Sequence, residues 1–256
     1  MTSTLNDALI SAWVTGWARC RGYRVRHDDG MHATLRQRDT GDGATDTAGP
    51  GSDWEYVVAE PTDEQLQTLG ATIAENPQRL LTIVASAERR PGDPDPDTAA
   101  RAAAITGLRA VATGERLMTT DMAEHDVETP VIPDQFEAKV DRNEGWFLVT
   151  FTTTEEHGQG AGQVAARGRV AVVDDYAVFD QIWTYPAFRR QGLGSLTMRY
   201  LSALALEHEV DEGLLVASAD GQALYGYLGW DALADVVVMG TGSDTSGESS
   251  SHNTEN

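Results

Sequence analysis

Arg189-Arg190-Gln191-Gly192-Leu193-Gly194 stands between a strand-like run, Tyr176 to Tyr185, and a helix-like run, Ser195 to Glu207. Two glycines at a strand-to-helix turn let backbone N–H groups approach a ligand closely. The first helical turn adds unpaired donors and the positive end of the helix dipole. That combination suits a phosphate. A dinucleotide fingerprint beginning at Gly192 is the rival reading. There, however, Thr197 stands where a third glycine or alanine belongs, and the preceding strands do not alternate with helices. A P-loop is excluded: no Gly-x-x-x-x-Gly-Lys occurs, and the one lysine, Lys139, follows no glycine-rich loop.

Working outward, period-two runs separated by short polar turns predict strands at Phe136–Asp141, Trp146–Thr152, Gln163–Val173 and Tyr176–Tyr185. After the helix come a strand at Gly213–Ala217, a short helix near Gln222–Leu228 and a last strand at Ala232–Met239. Leu193, Leu196, Tyr200 and Leu204 follow helical spacing and should face a sheet. Farther upstream, Asn6–Arg19 reads as an amphipathic helix whose Trp13 and Trp17 pack in a core. Strands are expected at Tyr23–His27, His32–Gln37, Trp54–Ala59 and Leu80–Ala85. Thr62 with Gln65 forms a capping box opening a helix through about Glu75. Alanine richness predicts a second helix over Ala99–Leu117, and Thr119–Asp134, with two prolines, an irregular crossing. Asp39–Ser52 reads as a mobile loop, Arg90–Asp97 as a proline-broken segment, and Gly240–Asn256 as a disordered tail.

The C-terminal order of antiparallel strands, glycine turn, helix, strand, helix and strand resembles the GNAT acetyltransferases. Ile182-Trp183-Thr184-Tyr185-Pro186 before the turn and Leu224-Tyr225-Gly226-Tyr227-Leu228-Gly229-Trp230 after it match further marks of that family. The resemblance covers about residues 146–239. It implies an α/β fold of mixed α+β character with a largely antiparallel sheet, acyl-CoA-binding in its C-terminal half. A division follows: 1–115, an α/β region of unknown role, either a degenerate copy of the same fold or an unrelated module; 116–239, the acetyltransferase domain; and 240–256, the tail.

The resemblance also implies roles. Acetyl-CoA would be co-substrate, with backbone groups of Ile182 and Thr184, beside Trp183, on the pantetheine arm. The turn from Arg189 and Arg190 through Gln191, Gly192, Leu193 and Gly194 to Ser195 would hold the pyrophosphate. Tyr225 stands where the family often has the tyrosine that protonates the leaving thiolate; a phenol near pKa ~10 remains protonated at neutral pH. Packing beneath the cofactor is its plainer reading. Tyr227 is the nearby competitor. Asp180 would share a face with Ile182 if its strand is regular, making it a candidate base; an ordinary polar residue is the alternative. Glu137, His157 and a water chain stay open for that role.

Composition bounds the rest. Of 256 residues, 40 are acidic and 19 basic, a net charge of −21 with most of the excess after residue 115. Such a balance repels nucleic acid and anionic membranes and could steer a cationic amine acceptor, small molecule or protein terminus; solubility or salt adaptation is the favoured explanation. The single cysteine, Cys20, fits a reducing cytoplasm and reads as helix packing, and the histidines complete no zinc pattern. No secretory signal or membrane span is evident. The expected activity is direct transfer from acetyl-CoA to an amine. A non-catalytic acyl-CoA-binding module with a partner-binding N-terminal half is the alternative.

Overall fold

The structure is a computed structural model that describes residues 4–28, 30–36, 53–86, 97–157 and 160–242. The expected loop at Asp39–Ser52, nearly all of Arg90–Asp97 and the tail beyond residue 242 lie outside these. Helix α1 (Asp7–Arg21) leads into β1 (Arg24–Asp28), β2 (Met31–Leu35) and β3 (Trp54–Ala59). Next come α2 (Asp63–Ala74), β4 (Leu80–Ser86), α3 (Thr98–Thr106) and β5 (Arg109–Asp121). The C-terminal half supplies β6 (Phe136–Asn143), β7 (Trp146–Thr153), β8 (Val164–Val173) and β9 (Tyr176–Thr184), then α4 (Leu193–Leu206), β10 (Glu212–Ala217), α5 (Ala219–Tyr227) and β11 (Asp231–Gly240).

Among the described residues eleven strands form one sheet in the order β1-β2-β3-β4-β11-β5-β10-β9-β8-β7-β6. Pairing is antiparallel except at β3–β4 and β9–β10. The order contains a pseudo-twofold repeat. β3, α2, β4, α3 and β5 retrace β9, α4, β10, α5 and β11, and each half's last strand lies between the other half's last two. The expected boundary at residue 115 therefore falls inside β5, with the halves interlocked through the β5–β11 pair.

Alternation along the strands assigns the helices to faces. Met118 and Leu215 pack with α4 and α5; Ile83 and Val237 pack with α2 and α3, on the same side. On the other side Val57, Val84, Leu117, Val178 and Val236 bury Leu9, Ile10, Trp13, Val14 and Trp17 of α1. The two tryptophans stack at 5.9 Å, core packing as expected. Cys20 is buried there too, and its burial, with the Asp180 charge, pushes the thiol pKa up.

α1 touches β7, β8 and β9 and also β1, β2 and β3. Its 15 residues make α1 about 22 Å long, so it reaches strands toward both edges of that face: its first turns meet β1 and β2 and its last turns β8 and β9. Gly16 permits the closest approach: a Cβ there would sit 2.4 Å from Val178 Cβ.

One expectation fails. The alanine-rich segment stays helical only to Thr106, Gly107 takes a left-handed φ of 71° as its C-cap, and Arg109–Asp121 is a strand. β5 gains ladders to both β10 and β11, and that pairing overrides alanine's weak helical preference.

Candidate functional site

β9 and β10 pair from Tyr176↔Glu212 only to Phe179↔Leu215, although β9 continues to Thr184 and β10 to Ala217. Beyond Phe179 the strands part, and β9 keeps a partner on the β8 side alone. The glycine turn lies at the mouth of this splay. Pro186–Phe188 forms a 3₁₀ turn, Arg190 and Gly192 adopt φ of 65° and 79°, and Gly192 caps α4. No side chain caps that helix. The first amide of the α4 ladder is Leu196 N–H, 3.0 Å from the Gly192 carbonyl, so those of Leu193, Gly194 and Ser195 precede the ladder. A Cβ on Gly194 would lie 3.1 Å from Leu224 and 4.0 Å from Thr184 Oγ1, which places α4, α5 and β9 around one opening.

The basic side chains of the turn act differently from its backbone. Arg189 folds back over the Trp183 ring at 5.4 Å, and its Nε donates to the Thr184 carbonyl at 3.3 Å. Arg190 and Gln191 are exposed. The i, i+3 spacing of α4 holds: Leu193 and Leu204 are buried, and Leu196 and Tyr200 pack at the edge of the same core.

Tyr225 is buried to 8% exposure on α5. Trp230 fixes it: its N–H returns to the Tyr225 carbonyl at 3.0 Å, and its ring meets Tyr225 at 6.2 Å and Phe179 at 5.2 Å. The Gly229 φ of 85° permits that return. Burial, and secondarily the negative charge of Asp180, pushes the phenol pKa up to about 12. Tyr227 is 84% exposed and points away from this core.

The strand carrying Asp180 is not regular. Gly168 of β8 lies between the pairs Arg167↔Trp183 and Arg169↔Asp180, so β9 holds one extra residue, and Gln181 has φ 54°. The bulge turns Asp180 and Trp183 to the α1 side, while Ile182 packs with the α4 core. Asp180 and Ile182 thus occupy opposite faces, contrary to the expectation from simple alternation. Arg21, from the last turn of α1, grips both Asp180 oxygens at 2.7 and 2.8 Å, each side chain 14% exposed. Sequence reading missed Arg21. A basic residue closing a helix reads as ordinary dipole compensation, and its partner is 159 residues away. Of the other candidates, Glu137 accepts from Thr152 on β7 at 3.0 Å, out on edge strand β6, and His157 lies against Phe136 and Phe188.

The pseudo-symmetric position in the N-terminal half is built otherwise. β3 and β4 stay paired from Glu55↔Leu80 through Ala59↔Val84, with no splay. The α2 N-terminus is closed by the Thr62–Gln65 capping box, with Asp63 and Glu64 in its first turn. An anion would meet both a plug and like charge there.

The model of the acetyltransferase (GNAT) family matches residues 115–230, which span the splay, the glycine turn and Tyr225. The C-terminal half belongs to the GNAT family. Solved structures extend the fold to the whole chain. A GCN5-related N-acetyltransferase from Kribbella flavida is 19% identical and superposes with a TM-score of 0.60, covering 94% of this chain and 97% of its own. A tandem GNAT protein from the clavulanic acid biosynthesis pathway is 14% identical, TM-score 0.50, covering 87% and 85%. A putative GNAT acetyltransferase from Novosphingobium aromaticivorans is 14% identical, TM-score 0.50, covering 91% and 97%. No curated protein matches the sequence significantly. The tandem neighbour and the repeat within the sheet agree that the N-terminal half is also GNAT-like. Among the described residues no cluster of His, Cys, Asp or Glu is placed to hold a metal, and no helix is long and apolar enough to cross a membrane.

Proposed function

We propose that the C-terminal half binds acetyl-CoA across the β9–β10 splay and transfers its acetyl group directly to an amine. The observation that carries this reading is the coincidence of an uncapped, glycine-entered helix with the point where two parallel strands separate. The amides of Leu193, Gly194 and Ser195 would receive the pyrophosphate. The edge of β9 at Ile182 and Thr184, which has no strand beside it, would hold the pantetheine arm. Arg189 serves by fixing Trp183 and the end of β9, and Arg190 and Gln191 by shaping the turn.

In the transfer, the neutral amine nitrogen attacks the thioester carbonyl carbon. A C–N bond forms, the C–S bond breaks, and the departing sulfur takes the Tyr225 phenolic proton. The proton released by the amine passes to solvent, which later reprotonates Tyr225. A phenol held at about 12 stays neutral and keeps its proton at every physiological pH, as a donor to a thiolate must. Asp180, gripped by Arg21, is a positioning residue that anchors the bulged strand to α1. Its negative charge also keeps the phenol protonated.

A steady-state assay with acetyl-CoA and a panel of primary amines tests this reading. Tyr225→Phe should lower kcat at least tenfold and leave the KM for acetyl-CoA within twofold. An unchanged kcat removes Tyr225 from the chemistry. Cofactor binding without turnover of any amine would favour the second reading, a non-catalytic acyl-CoA-binding module. That reading draws support from the commitment of the β9 carboxylate to Arg21.

A further inference from the structure

Arg167, on β8, is half-buried and has no hydrogen-bond, ion-pair or aromatic partner among the described residues. The chain has 40 acidic residues for 19 basic ones, so a carboxylate is not lacking for want of supply. Register fixes where this guanidinium lies. Arg167 stands opposite Trp183 on β9 and Thr150 on β7. Trp183 falls between Ile182 and Thr184, the two residues assigned to the pantetheine arm.

Arg169, two residues along β8, donates to the Cys20 carbonyl in the last turn of α1, so Arg167 is also on the α1 side. The helix ends at Arg21, which holds Asp180, the partner of Arg169 in the ladder. Arg167, Trp183 and Thr150 make the next row beyond that end, and all three are partly exposed. The Trp183 ring is taken by Arg189 at 5.4 Å, and the Thr150 hydroxyl has no partner among the described residues. From Thr150 an open trough of about 530 Å³ continues over β7 and β6, where Glu137, Lys139, Asp141 and Thr152 line it.

The second substrate has to enter from this side. On the other, Tyr225, Trp230, Phe179 and Leu193 are buried together in the core of α4 and α5. An amine that reaches the β9 edge from the α1 side passes Arg167, one strand spacing of about 4.8 Å away. A guanidinium offers two parallel donors that match a carboxylate. The net charge of −21 repels a simple anion but not a zwitterion, whose charges cancel. Glu137 and Asp141 in the trough speak against a phosphate dianion.

We infer that Arg167 binds the carboxylate of the acceptor, and that the acceptor is a free amino acid whose amine is presented to the thioester. The short span between Arg167 and the β9 edge requires both groups on one small molecule. The carboxylate keeps its bonds throughout; only the amine takes part in the transfer described above. This names the substrate class of the acetyltransferase reading and rests on it.

Isothermal titration of the full chain saturated with CoA, with each standard amino acid and its α-carboxamide as probes, tests the inference. At least one amino acid should bind ten times more tightly than its carboxamide. Arg167→Gln should remove that preference and leave CoA affinity within twofold. Lys139→Gln, which takes away a cation already paired with Asp141 at 2.8 Å, should keep it. A wild type that binds no amino acid, or binds acid and carboxamide alike, overturns the inference. So does a preference that survives in Arg167→Gln, or an equal loss in Lys139→Gln, which marks a diffuse field. Loss of CoA affinity in Arg167→Gln overturns it too, since the residue then serves the fold. If the wild type binds no CoA, the cofactor reading falls instead, and the same titration without CoA decides Arg167.

Discussion

Replacing Arg21 by alanine should destabilise the protein far more than an exposed ion pair would. Both partners are 14% exposed, and two parallel hydrogen bonds at 2.7 and 2.8 Å join them. Removing the guanidinium leaves Asp180 charged beneath α1, and such losses cost about 3–5 kcal/mol for a buried pair. The residual exposure argues for the lower end, about 3 kcal/mol. Asp180→Ala should cost less, about 2 kcal/mol, because Arg21 keeps its place over the Trp17 ring at 5.3 Å and the attraction of Glu55. With both charges gone no orphan is left, so the double variant should lose about 3 kcal/mol, a coupling of about 2 kcal/mol. Equilibrium urea unfolding of the four proteins at pH 7 and 0.15 M salt measures it. Additivity within about 0.5 kcal/mol would refute the claim that the pair acts as a buried clamp between helix and bulge.

Other expectations follow from single contacts. The raised Tyr225 pKa makes its contribution fully present below the unfolded value near 10. Stability should then fall by about 2–3 kcal/mol as pH rises from 10 to about 12, a slope that Tyr225→Phe should remove in urea titrations. Gly16→Ala forces a Cβ to 2.4 Å from branched Val178, which has no flexible end to yield, so a loss of about 1–3 kcal/mol is expected in the same assay. His27 bonds His32 at 2.8 Å and Thr15 at 3.0 Å, and burial together with His32 lowers its pKa. Its neutral form therefore favours folding above the unfolded value near 6.5, and the benefit is lost as pH falls. An NMR titration of His27 with a midpoint at or above 6.5 would contradict this.

Much of the site was legible because its signals are local. Gly192 and Gly194 before an apolar period, and Leu224 to Trp230 with its reversing Gly229, are features of single turns. The Thr62–Gln65 box and the Trp54–Ala59 strand emerged for the same reason. What stayed hidden depends on partners far along the chain. The insertion of β11 between β4 and β5 joins segments more than a hundred residues apart, and no period announces it. The bulge at Gln181 carries no glycine to mark it, so alternation placed Asp180 on the wrong face. Ala99–Leu117 misled because propensity speaks for each residue alone, whereas β5 is decided by the two strands beside it.

The central claim is that one half of an interlocked pair keeps an acyl-CoA cleft and the other has closed its own. Isothermal titration of CoA into the full chain tests it most directly. The structure predicts one molecule bound per chain, with binding weakened at least tenfold by Gly192→Val at the α4 entry and unaffected by Thr62→Ala at α2. No binding, or two molecules per chain, would contradict it.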